Sequence, residues 1–154
     1  MGVKILLLEE SSEEATETPD DERFSWDATL LFYNKKDGVE IKTELLYLTI
    51  YTLLDKFVDL LSRKIDHFKI EPIGYSVQNR CHFTATNGHV VIENMHHSIT
   101  YGKKALFCDL INEIKAFIKK YNKNIHCHED KKRLLLIAEQ IRDAEEKIGP
   151  CRAL

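Results

Sequence analysis

The stretch Cys81-His82-Phe83-Thr84-Ala85-Thr86-Asn87-Gly88-His89-Val90-Val91-Ile92-Glu93 decides how this chain is read. Asn-Gly is the preferred central pair of a two-residue type I′ hairpin turn, because both positions need positive φ and the turn's twist then matches that of its strands. Counting outward pairs Ala85 with Val90, Phe83 with Ile92 and Cys81 with Asn94 on one face. The other face pairs Thr84 with Val91 and His82 with Glu93. The apolar first face is expected to line a core, since a slip of one residue would turn every side chain over.

Moving toward the N-terminus, residues 68–77 again have strand character, with a change of phase at Pro72-Ile73 that suggests a bulge or an edge. Before them the period lengthens. Tyr51, Leu54, Val58, Leu61 and Ile65, widened by Ile50, Leu53, Phe57 and Leu60, predict a helix over 48–65 with a broad apolar face that should lie on a sheet. Farther back, Trp26, Ala28, Leu30 and Phe32 alternate with Asp27, Thr29, Leu31 and Tyr33. Turn residues Asn34-Lys35-Lys36-Asp37-Gly38 follow, with Gly38 available for positive φ, and Val39, Ile41 and Thr43 resume the alternation, so 24–43 reads as a hairpin. A first short strand is expected over 4–9.

Toward the C-terminus, Phe107, Leu110, Ile111, Ile114, Phe117, Ile118 and Tyr121 mark an amphipathic helix whose Lys119-Lys120 pair suits the negative pole of its dipole. A last helix over 129–148 is set out by Leu134, Ile137, Ala138, Ile141 and Ile148. Asp130 could cap its start, and Gly149-Pro150 stops it. The order β-β-β, α, β-β-β, α-α predicts an α+β fold: a mostly antiparallel sheet of about five or six strands with two or three helices packed on one face. With 154 residues and 44% apolar content, the chain suits a single domain over 1–154.

Charge is distributed unevenly. Glu9, Glu10, Glu13, Glu14, Glu17, Asp20, Asp21 and Glu22 stand in a segment without Lys or Arg, and removing these eight carboxylates takes the formal charge from −3 to +5. Residues 9–23, with Ser11, Ser12, Thr16, Thr18 and Pro19, have loop composition and exceed an ordinary connection. Such a patch repels nucleic acid and attracts basic protein surfaces, and its field extends past contact. A plain solubilising segment would look the same. The functional reading is a decoy that offers carboxylates where a nuclease expects phosphates, gaining steered association.

His126-Cys127-His128-Glu129-Asp130, with His96 or His97, has zinc-ligand types but no second half with standard spacing, so no metal is expected. His82 opposite Glu93 could be a base and its orienting carboxylate, although a cross-strand polar pair on a half-exposed sheet face is the commoner explanation. Cys81 and Cys108 fall on expected core faces, where a thiol is inert. No phosphate-binding or hydrolase motif occurs, and neither a cofactor nor an enzymatic activity is expected. The bases Lys35, Lys36, Lys103, Lys104, Lys115, Lys119, Lys120, Lys123, Lys131, Lys132 and Arg133 are scattered over several elements, which argues against nucleic acid.

Four dispersed cysteines without C-x-x-C spacing are expected to be free thiols in a reducing compartment. Residues 1–8 lack the length of a signal peptide's apolar core, and no run approaches a membrane span, so a cytoplasmic protein without membrane attachment is expected. Gly2 and Cys151-Arg152-Ala153-Leu154 are poor matches to lipidation signals.

With the 24–39 hairpin, the broad apolar helix, the Asn87-Gly88 hairpin and the helix over 107–121 in view, the chain resembles small bacterial immunity proteins of polymorphic-toxin and contact-dependent growth inhibition systems. The resemblance is one of size, acidity and β/α order over residues 24–121. It implies a cytoplasmic, non-enzymatic protein that binds one cognate toxin domain, often a nuclease, and occludes its active site. A small hydrolase or metal-dependent enzyme using His82, Glu93 or the 126–130 cluster is the alternative reading, and a nucleic-acid-binding regulator the second.

Overall fold

The hairpin register read from Asn87-Gly88 is the one the chain adopts. A computed structural model describes residues 1–7, 27–71, 80–122 and 128–151. Strands β5 (Cys81–Thr86) and β6 (His89–Glu93) pair with Phe83 opposite Ile92 and Ala85 opposite Val90. Asn87 and Gly88 take φ values of 32° and 85°, a region that asparagine tolerates better than most side chains and that glycine enters without Cβ strain. Phe83, Val90 and Ile92 are fully buried and Ala85 half-buried. The ladder to β6 stops at His82–Glu93, and Cys81 instead pairs on its other side with Ile70.

The β elements form two antiparallel sheets: β1 (Gly2–Leu7), β2 (Ala28–Tyr33) and β3 (Gly38–Thr43) in that order, and β4 (His67–Ile70), β5, β6 and β7 (Ser98–Gly102) in that order. The α+β class with antiparallel pairing is as the alternation predicts, but among the described residues seven strands are divided between two sheets where one sheet of five or six was expected. The added strand is β7, whose Ile99 and Tyr101 point inward. Along β2 and β3 the expected inward residues Ala28, Leu30, Phe32, Val39, Ile41 and Thr43 are all buried.

The two sheets meet where β3 comes alongside β7. Their entry turns are built alike: Asn34 Oδ1 accepts the Lys36 and Asp37 amides, and Asn94 Oδ1 accepts those of His96 and His97. His97 Nδ1 then lies 3.1 Å from Asp37 Oδ1 across the seam. The Asn side chain closes each turn, so Gly38 needs no positive φ and has none.

Three helices cover the sheets: α1 (Leu46–Leu61), α2 (Lys103–Asn122) and α3 (His128–Ile148). The buried face of α1 is Leu46, Thr49, Ile50, Leu53, Leu54, Phe57 and Leu60. This face is rotated from the expected stripe, and Tyr51 stands 43% exposed. At its C-terminus the Arg63 amide donates to Leu60 O and the Lys64 amide to Asp59 O, the two bonds of a Schellman cap. Helix α2 spans the first sheet's edge, where Glu113 Oε1 accepts the Ile5 amide at 3.0 Å and satisfies a donor that the edge strand would leave open. Helix α3 starts before Asp130, which is buried and paired with Arg133 at 2.7 Å, not an N-cap.

Five phenylalanines join these layers. Phe83 stacks on Phe68 at 4.6 Å between ring centroids and meets Phe32 of the first sheet at 5.6 Å and Phe57 of α1 at 6.3 Å, while Phe57 stacks on Phe107 of α2. Ring pairs of this kind add roughly 0.5–1.5 kcal/mol beyond area burial.

The expectation of free thiols is corrected at one pair. Helix α3 runs back along α2, so Cys151 returns to the first turns of α2 and forms a disulfide with Cys108, with Cα atoms 5.2 Å apart. Lys104 Nζ donates to Gly149 O beside it. A separation of 43 residues carries no local signal of such pairing.

Candidate functional site

The eight acidic residues proposed to bind a partner, Glu9, Glu10, Glu13, Glu14, Glu17, Asp20, Asp21 and Glu22, lie outside the described residues. Their two points of attachment are described. Leu7 ends β1, Ala28 begins β2, and these two residues are partners in the ladder. The described residues that flank the acidic segment therefore stand side by side at one end of the first sheet. Ala28 also pairs with Thr43, and three residues later the chain enters α1. Thr43 fixes that entry: its hydroxyl accepts the Leu45 amide at 3.0 Å and is bonded to the Thr49 hydroxyl at 2.8 Å inside the core.

Around this entry the surface is apolar. Leu45, Leu48 and Tyr51 of the α1 approach are 37–43% exposed, and Leu135 and Leu136 of α3 are 66% and 48% exposed. The two helices are held together here, with Arg133 over the Tyr47 ring and Gln140 Nε2 donating to Tyr51 O. Leu136 lies on the helical row between Arg133 and Gln140 and so faces the same flank. Sequence reasoning missed this patch by placing Tyr51 in the buried stripe. The available signal was that α1 is apolar on nearly every side, more than one sheet-facing stripe needs.

The histidine readings fare differently. His82 and Glu93 are cross-strand partners, both exposed. His126 and Cys127 lie outside the described residues, and His128 opens α3 in solvent. His97 faces Asp37 at the seam. Among the described residues no three His, Cys, Asp or Glu side chains converge as metal ligands. Cys81 is fully buried, and its thiol is pushed up to about 12, first by burial and then by the Glu93 charge. The Tyr101 phenol is raised too, chiefly by burial and by donating to Asp109 Oδ2.

Several bases are committed within the fold: Lys115 to Glu145 at 2.5 Å, Arg133 to Asp130, and Lys104 to Gly149 O. Two hollows open beside them. One of about 610 Å³ lies between α2 and α3, walled by Ile118, Ala138, Ile141 and Pro150. The other, about 860 Å³, lies where the end of α1, the Asn87-Gly88 turn and the start of α2 meet. Among the described residues no helix is long and apolar enough to cross a membrane. Comparison with models of known protein families, with curated proteins and with solved structures yields no match.

Proposed function

We propose that this protein is an immunity protein, which binds a cognate bacterial toxin domain and occludes its active site without catalysing a reaction itself. The observation that carries this reading is a juxtaposition. An eight-carboxylate excursion is rooted at Leu7 and Ala28, at the end of the sheet where α1 begins and where Leu45, Leu48 and Tyr51 stand exposed. Protein interfaces combine an apolar centre with a charged rim, and both elements are available here on adjoining chain segments. The carboxylates steer a basic partner into place, and the apolar patch holds it once docked. A nuclease is the toxin type that fits best, because its active site reads phosphates and a carboxylate cluster imitates them.

The reading needs no metal and no cofactor. Co-expression with the toxin domain encoded beside its gene tests it. Wild-type protein should protect growth and co-purify with the toxin. A variant carrying Leu48→Asp and Leu136→Asp should fold, because both positions face solvent, and should lose protection. Full protection by that variant and by one with Glu13, Glu14, Asp20 and Asp21 reversed to Lys would overturn the reading.

A further inference from the structure

The 860 Å³ hollow lies at the opposite end of α1 from the proposed interface, about 24 Å along the helix axis, and its chemistry is of the opposite sign. Arg63 and Lys64, just past the end of α1, and Lys103, at the start of α2, line it together with the half-buried Ile65 and Ala85. Asp66 and His67 also line it and are engaged with each other, Nδ1 to Oδ1 at 2.7 Å. The surrounding backbone is pinned. The Ala85 amide donates to Asp66 O at 2.8 Å, the Lys103 amide to Gly88 O at 3.0 Å and the Lys64 amide to Asp59 O at 2.9 Å. With the Lys103 amide already engaged, the positive wall is made by side chains.

Arg63 is the informative residue. It occupies the left-handed position of the Schellman cap, with φ of 64°, where glycine is the default and a side chain costs conformational energy. Strained backbone positions persist where something else is gained. Here the strained residue is one of three basic residues, with Lys64 and Lys103, that line the hollow.

We propose that this basin binds a small organic phosphate, its phosphate held by Arg63, Lys64 and Lys103 and its organic body resting on Ile65 and Ala85. Arginine's planar fork suits two phosphate oxygens at once, and the lysines supply charge from two sides. These two apolar residues distinguish an organic phosphate from the free ion.

Titration calorimetry on the full chain at low salt tests this with inorganic phosphate, AMP and adenosine as probes. AMP should bind, more tightly than inorganic phosphate, and adenosine should not. Lys64→Gln with Lys103→Gln should weaken AMP binding by about tenfold or more. Arg63→Gly should raise the melting temperature by relieving the left-handed side chain, yet weaken AMP binding, a combination that a purely structural role for Arg63 does not produce. Absence of AMP binding at millimolar concentration, affinity unchanged in the double variant, or equal affinity for AMP and inorganic phosphate would each overturn the proposal.

Discussion

Replacing Phe83 by Ala probes the packing that joins the two sheets. Phe83 is fully buried, stacks on Phe68 at 4.6 Å, and meets Phe32 and Phe57 edge-on at 5.6 and 6.3 Å. A buried Phe→Ala change costs about 3–5 kcal/mol, through lost transfer energy and the cavity left behind. Three ring neighbours from β2, β4 and α1 place this site at the upper end, because none can collapse into the space without pulling its own layer away. A domain of this kind has about 5–15 kcal/mol in all, so the variant should lose a large fraction of its stability. Urea unfolding followed by far-UV circular dichroism measures it. Thr84→Ala, one residue along β5 on the half-exposed face, should stay within about 0.5 kcal/mol of wild type. A Phe83→Ala loss below about 1 kcal/mol, or a larger loss for Thr84→Ala, would refute the register and the core built on it.

Reducing the Cys108–Cys151 disulfide, which closes a 43-residue separation, should cost about 4 kcal/mol by loop-closure entropy. The urea midpoint should fall in reductant for wild type and stay fixed for Cys108→Ser with Cys151→Ser, and a wild-type midpoint indifferent to reductant would contradict this. The buried Cys81 thiol has a folded pKa raised above its unfolded value, so its contribution is fully present below the unfolded pKa of about 8.5 and is lost as pH rises toward 12. Between about pH 8.5 and 10 wild type should lose roughly 1–2 kcal/mol more than Cys81→Ala. Parallel pH profiles for the two proteins would show that the thiol is not shielded.

Most of the architecture was legible because it is written in local periodicity. Asn87-Gly88 set a register that a single turn enforces, and Ala28, Leu30 and Phe32 alternate over enough residues to fix a face. Strand β7 escaped because only Ile99 and Tyr101 mark it, between a histidine-rich turn and a helix start. The division into two sheets escaped because it depends on which edges meet, and His97 finds Asp37 only once both hairpins are folded. The disulfide is likewise a product of α3 running back along α2. Of the candidate surfaces, the acidic segment is legible as charge alone. The exposed Leu48, Tyr51 and Leu136 were hidden by their similarity to core residues, and the basin at Arg63 by drawing its walls from three separated elements.

The central claim is that the acidic excursion draws a basic toxin domain onto the surface beside α1. Stopped-flow association rates with the product of the neighbouring gene, taken at low and high salt for wild type and for the Glu13, Glu14, Asp20 and Asp21 to Lys variant, test it. Steering falls steeply with ionic strength, so wild type should associate faster and with the steeper salt dependence, while the variant keeps an unchanged circular dichroism spectrum. Equal rates and equal salt slopes for the two proteins would contradict the claim.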